Sequence, residues 1–283
     1  MRTMILAAVS ALAMVAGAAH AEQANGYVGF EYNHLNADFG LGDGHANVYE
    51  GQGAVAMPLS GKFGGQLNLD VDHYDFGDGL NSQTTVAPTG HLFLRDDKGL
   101  VGAFVGYEHS DHASLWGAGG EGQIYLSDMV TLGGDAGYAQ TTDLPGSAKL
   151  DFWAANGKLS LFPSENVRID AKGGWLRASA DGFGHLNTWN IGLGGEYQFK
   201  QVPVSLTAGY EFGETGEILG DKLTTNTFKV GVRWTFGGSL LQRDRKGAAL
   251  DSVTQIYGGS LGQGVLGLAS SALGSLGNLG LNF

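Results

Sequence analysis

The chain has 283 residues, a formal net charge of −12 at pH 7, no cysteine, 49 glycines and five prolines. The acidic balance excludes a nucleic-acid binder, because phosphate contacts need a basic face, and the absent cysteines exclude a disulfide-framed fold. Hydrophobic residues make up 43% of the chain but are dispersed singly, which leaves a soluble β-protein or a membrane barrel whose lipid-facing residues alternate with polar ones.

The first element is read as a cleaved export signal, residues 1–21. Arg2 supplies the positive start, Ile5 to Val15 the short apolar core, and Ala19-His20-Ala21 a small-x-small cleavage site. This apolar stretch is shorter than the roughly 20 residues of a spanning helix.

From Asn25 to Gly237 one pattern repeats: about ten residues of apolar/polar alternation, the length of a tilted membrane strand, then a break. Twelve such segments are predicted, at 26–35, 46–57, 65–75, 84–95, 100–109, 114–126, 130–141, 148–161, 167–178, 187–199, 203–213 and 225–236. In the tenth, Trp189, Ile191, Leu193, Gly195, Tyr197 and Phe199 alternate with Asn190, Gly192, Gly194, Glu196 and Gln198. The breaks alternate as well. Short links such as Asp96–Gly99 and Pro163–Asn166 follow the even segments, while mostly longer ones such as Asn36–His45 and Glu214–Thr224 follow the odd segments. Short turns on one rim and long loops on the other predict an all-β, antiparallel up-and-down transmembrane barrel over residues 22–237, with both termini periplasmic.

Aromatic residues gather at segment ends, where amphipathic rings favour headgroup depth. Tyr49, Tyr107, Trp116, Tyr138, Trp153, Trp175, Trp189 and Phe228 are expected at the long-loop rim, and Phe162, Phe199, Trp234 and Phe236 at the short-turn rim.

With the aromatic register facing lipid, the opposite register carries ten acids: Glu31, Glu50, Asp70, Asp72, Glu108, Glu121, Asp135, Asp170, Glu196 and Glu211. It carries six bases: Arg95, Lys158, Arg168, Lys172, Lys229 and Arg233. A Lys or Arg facing lipid at the midplane costs about 2–4 kcal/mol, which supports that register. In a twelve-stranded barrel the second and third strands face the eighth and ninth. An acidic wall of Glu50, Asp70 and Asp72 is therefore expected across from a basic wall of Lys158, Arg168 and Lys172. Small inward residues, among them Gly117, Gly119, Gly133, Gly137, Gly192 and Gly194, are expected to leave the lumen open. The excess of four acids implies a mild cation preference, since a narrow channel concentrates counter-ions.

Enzymatic readings are weaker. His109-Ser110 and His112-Ala113-Ser114 lie near a rim, but adjacent strand residues point to opposite faces and no third member of a triad follows. His109, Asp111 and His112 suit a solvated loop better than a metal site, and no cofactor is expected. No passenger segment precedes the barrel, which argues against an autotransporter.

The last segment, Lys229-Val230-Gly231-Val232-Arg233-Trp234-Thr235-Phe236, resembles the terminal-strand signal of bacterial outer-membrane barrel proteins. Lys229, Gly231, Trp234 and Phe236 fill its polar, glycine, apolar and terminal aromatic positions. The resemblance is to the small porin and porin-like type, no subfamily being assignable. It implies delivery by the barrel-assembly machinery, a place among outer-membrane lipids and lipopolysaccharide, passage of small solutes, and a field across the lumen like that of general porins.

In that family the signal usually ends the chain, whereas here residues 238–283 follow. Leu240–Gly247 is charged, and Ala248–Phe283 is rich in Gly, Leu and Ser with Asp251 as its only charge. This tail could add a hairpin and make fourteen strands, lie on the inner leaflet as a helix, partly fill the lumen, or stay disordered. Twelve strands is the expected count.

Overall fold

A computed structural model of the protein describes residues 24–38, 43–76, 82–110, 114–142, 149–180, 184–218 and 221–258. Twelve strands follow one another: β1 (Asn25–Asp38), β2 (Asp43–Ser60), β3 (Phe63–Asp75), β4 (Gln83–Asp96), β5 (Gly99–Ser110), β6 (Ser114–Ser127), β7 (Val130–Thr142), β8 (Leu150–Ser164), β9 (Val167–Ala180), β10 (Gly184–Gln198), β11 (Val204–Ile218) and β12 (Asp221–Phe236). Each pairs with its neighbours in sequence, and β12 closes on β1 in an unbroken antiparallel register from Gly26 opposite Phe236 to Asp38 opposite Thr224. Closure removes every free sheet edge, the condition for crossing a bilayer with strands.

Strands run from 12 to 18 residues, longer than the segments read from alternation. Alternation of hydrophobicity marks only the part that meets lipid; main-chain pairing continues past it, where either face can be polar. The alternation also sets which face is which. Val101 and Leu193 are 64% and 65% exposed on the outer wall, in company with Leu67, Ile191, Val230 and Trp234. Such an apolar belt around a closed barrel calls for hydrocarbon, not water.

Near the long-loop rim the belt ends in aromatic contacts. Tyr138 packs between Trp116 and Trp153, Trp189 lies opposite Trp175, and Tyr210 packs on Phe228. One girdle expectation fails: Phe162 is fully buried instead of facing lipid. Phe162 continues the register of Lys158 and Ser160, which faces the lumen.

Beyond β12 the chain reverses. Gly237 and Gly238 have φ of 86° and 139°, a region that side chains with a Cβ avoid. The turn leads into α1 (Leu240–Lys246), capped by a reciprocal pair in which Ser239 Oγ accepts from Gln242 N at 3.2 Å and Gln242 Oε1 accepts from Ser239 N at 3.1 Å. This helix crosses the short-turn mouth. Leu241 N donates to Glu165 O in the β8–β9 turn at 3.1 Å, and Arg245 donates to Ser127 O at the end of β6 at 2.8 Å.

The chain then climbs inside the barrel. Ala248 packs on Ala54 and Ala56, Leu250 on Phe93 and Leu100, and Val253, Ile256 and Tyr257 join Phe104, Leu115 and Phe152 in the largest apolar cluster. A short π-helical turn, Thr254–Gly258, ends the described part. Of the four destinations open to the tail, the lumen is the one its described residues take, and the barrel keeps twelve strands.

Candidate functional site

The alternating register points the expected charges inward, and pairing across strands sets them in rows. Glu31 lies opposite Glu50 and Glu50 opposite Asp72, so three carboxylates cross β1, β2 and β3 side by side. Like charges directly opposite one another are destabilising. Across the lumen Lys158 lies opposite Lys172 on β8 and β9. The two walls do stand on opposite sides of the closed barrel.

They do not face each other across open space, because the tail runs between them. Lys158 donates to Asp251 of the tail at 2.6 Å. Asp70 and Asp72 are only 3% and 1% exposed. Ser252 hydrogen-bonds Asp70, Thr85 donates to Asp72 Oδ2 at 3.4 Å, and Thr254 lies beside Glu108. Of the expected acidic wall only Glu50 borders the remaining cavity; Asp70 lies against Ser252 of the tail, and Asp72 is buried beside it. The expectation of a field across an open lumen is corrected accordingly.

The tail is keyed to the wall of β3 to β8 by polar contacts that alternation alone does not announce. Gln66 Oε1 accepts from Ala249 N at 3.1 Å and Leu250 N at 3.3 Å, while its Nε2 and Asn68 Nδ2 both donate to Leu250 O. Thr89 Oγ1 accepts from Val253 N at 2.8 Å, Asn156 donates to Ile256 O at 3.1 Å, and Arg95 donates twice to Gly247 O at 3.0 Å.

The inward glycines explain why the tail fits. A Cβ on Gly117 would come within 2.6 Å of the Tyr257 ring, one on Gly137 within 2.3 Å of the Tyr257 hydroxyl, and one on Gly106 within 2.6 Å of Val253. Gly117 and Gly137 therefore leave room for the protein's own tail, not for open passage. Gly119 faces Phe104 and backbone, and Gly192 lies against the Lys172 chain. Only Gly133 and Gly194, of the six expected, border the cavity.

That cavity, about 250 Å³, follows β6 to β12, β1 and β2, and reaches Tyr74 and Phe76 at the end of β3. It runs from the level of Leu35 and Phe76 near the long-loop rim to Arg168 and Arg233 near the short turns. Its charged lining is Glu31, Glu50, Glu121, Asp135, Asp170 and Asp251 against Lys158, Arg168, Lys172, Lys229 and Arg233, an excess of one acid. Ion pairing is extensive. Lys172 and Lys229 share the buried Glu211, the latter at 3.4 Å, and Arg168 bridges Asp170 at 2.9 Å. Glu121 meets His91 at 3.0 Å.

At the short-turn end Glu196, nearly inaccessible, is held by three guanidiniums: Arg168 at 3.1 Å, Arg233 at 3.1 Å and Arg243 of α1 at 2.6 Å. Arg233 and Arg243 also both lie over the Tyr27 ring at 5.0 Å. The signals missed in sequence were Arg243 and the inward polar residues Gln66, Asn68 and Thr89, which make the tail's seat.

The residues expected to form an assembly signal lie on the closing strand. Lys229 points inward, Trp234 is 60% exposed on the belt, and Phe236 pairs with Gly26. A Cβ on Gly231 would come within 2.7 Å of Phe30 O and of Thr207 Oγ1, so glycine is needed where β12 meets β1 and β11.

The rim His/Ser pairing differs from either adjacent pair in the sequence. His109 Nδ1 lies 2.9 Å from Ser114 Oγ across β5 and β6. Ser114 is 2% exposed, so its hydroxyl offers no approach to an ester carbon, and the contact fits a rim hydrogen bond. Asp111 and His112 lie outside the described residues.

A closed twelve-stranded barrel with an apolar belt, aromatic rims and a charged interior defines a transmembrane β-barrel of the bacterial outer-membrane type. Among solved structures it is similar to an outer-membrane channel from Pseudomonas putida F1, with a TM-score of 0.58 at 12% identity over 75% of this chain and 95% of that one. The translocator domain of autotransporter NalP from Neisseria meningitidis gives 0.53 at 14% identity, covering 79% of this chain and 92% of that domain. The NanC porin gives 0.51 at 10% identity, covering 72% and 98%. These neighbours include a channel, a porin and a translocator, so they define the fold and not a subfamily. No protein-family model matches the sequence, and no curated protein matches it.

Proposed function

We propose that the protein is a porin-like channel of the outer membrane, passing small hydrophilic solutes by passive diffusion with a mild cation preference. The observation that carries this reading is the charged cavity that the tail leaves along β6 to β12, β1 and β2. A wall of paired acids and bases around polar space suits hydrated solutes of either sign, and the cavity is smaller than the roughly 300–1,000 Å³ of drug-sized ligand sites. The lining's one surplus acid favours cations only slightly. Export through residues 1–21, delivery by the assembly machinery and a seat among lipopolysaccharide belong to the same proposal, which needs no cofactor.

Refolded full-length protein in planar bilayers should give discrete conductance steps. Its reversal potential in a salt gradient should lean toward cations in dilute salt, where the screening length is about 30 Å, and approach zero near 1 M, where it is about 3 Å. Absence of any conductance would sink the channel reading. It would favour instead a closed structural or surface-binding barrel acting through its loops, for which the tail inside the lumen is the supporting observation.

A further inference from the structure

We infer that the tail segment 248–258 is the channel's own selectivity element: a resident partition that screens a buried acidic compartment from the conducting cavity. This inference rests on the channel reading. On one side of the segment lie Asp70, Asp72 and Glu108; on the other lie Lys158, Lys172 and Lys229.

Three independent observations carry it. First, the seat is built to receive this segment and is not merely filled by it. Gly106, Gly117 and Gly137 lack the Cβ that would strike Val253 or Tyr257, and Gln66 presents both its donor and its acceptor to the main chain around Leu250. Second, the compartment behind the segment holds acidic side chains with no cation among the described residues in contact with them. One oxygen each of Asp70 and Asp72 is buried and has no hydrogen-bond partner. Asp72 also lies opposite Glu50 in the strand register, where like charges repel. A lumen left open to solvent would hydrate these carboxylates and set them facing the basic wall. Third, the segment brings its own charge to the conducting side: Asp251 binds Lys158 and borders the cavity. The tail thus subtracts acids from the permeation path and neutralises a base on it.

The physical consequence is a near-neutral lining in a strongly acidic protein. With the tail seated, surplus charge on the path is one acid. With the tail displaced, Asp70, Asp72 and Glu108 join the path, Lys158 loses Asp251, and the lumen widens. A displaced tail therefore makes a larger and more cation-selective pore from the same barrel.

The test uses the full chain, which contains no cysteine, so each introduced thiol is unique. Glu50→Cys borders the cavity and Asp70→Cys lies under the tail. A charged, membrane-impermeant methanethiosulfonate reagent should modify E50C at least roughly ten-fold faster, the ratio expected if reaching Asp70 requires a local opening of the segment. The substitutions Leu250→Asn, Val253→Asn and Tyr257→Asn, made together, change no strand residue and should unseat the tail. In that background D70C should be modified about as fast as E50C, conductance should increase, and the reversal potential should move toward cations. Adding Asp70→Asn, Asp72→Asn and Glu108→Gln should reverse the last shift, while the same three changes in the otherwise native chain should leave selectivity unchanged.

Equal modification of D70C and E50C in the native tail would overturn the inference, as would an unseated tail that exposes Asp70 without moving selectivity. Heat-modifiable electrophoretic mobility reports separately that each variant folds. If neither native nor tail-substituted protein conducts, the channel reading fails and the selectivity inference fails with it, while the thiol rates still decide whether the tail shields Asp70.

Discussion

Glu196 shows how much of this protein's interior depends on single polar residues. Its carboxylate sits between Arg168, Arg233 and Arg243, and so joins β9, β12 and α1 at the short-turn end. Breaking a buried ion pair by removing one partner costs about 3–5 kcal/mol, mostly through the charge left behind. Glu196→Ala leaves three guanidiniums without that carboxylate, whereas Arg243→Ala leaves Glu196 with two cations and forfeits charged hydrogen bonds worth about 1.5–3 kcal/mol each. We expect E196A to lower the urea midpoint of the refolded barrel clearly more than R243A does. Equal losses would mean that Glu196 is one contact among several, not the hub.

At the scale of the element, β12 carries two demands in the same residues. It closes the barrel on β1 and carries the residues that resemble the terminal-strand signal. The steric demand is explicit at Gly231, where a side chain would run into Phe30 O and Thr207 Oγ1. Gly231→Asp adds a carboxylate at this closing seam, and Phe236→Ala removes the terminal ring of the signal. Both should reduce insertion into vesicles or native outer membrane far more than deletion of 248–283, since the tail's contacts are made inside a barrel already closed by β1 and β12. Gel mobility of the folded form measures this. Loss of assembly on deleting the tail alone would show that barrel closure requires the plug.

For the whole molecule, the asymmetric rims set an orientation. The short-turn end carries the β4–β5 and β8–β9 turns, with Asp97 and Glu165 exposed, and α1 across its mouth; Glu217 is exposed at the long-loop end. With short turns in the periplasm, a peptide tag at Glu217 should be reached by antibody on intact cells, and tags at Asp97 or Glu165 only after the outer membrane is opened. The reverse pattern would invert the proposed topology. Asp78 and Asp143, the other positions expected in long loops, lie outside the described residues.

Alternation and link lengths determined the strands, their order and the two rims, and set most strand charges on one face, because the strand period of two is local and a charge on the lipid face is costly. The closing register of β12 on β1 came only from the structure. What alternation could not determine was the fate of the inward face. An inward glycine reads the same whether it borders solvent or receives a ring: Gly133 borders the cavity, while Gly137 lies against Tyr257. An inward acid reads the same whether it borders the cavity, as Glu50 does, or lies under another segment, as Asp70 does. Those outcomes depend on where residues 248–258 pack, nearly 200 positions from the Gln66 side chain that holds them. Only the closed tertiary structure brings the two together, since the tail has no seat until the barrel has an inside.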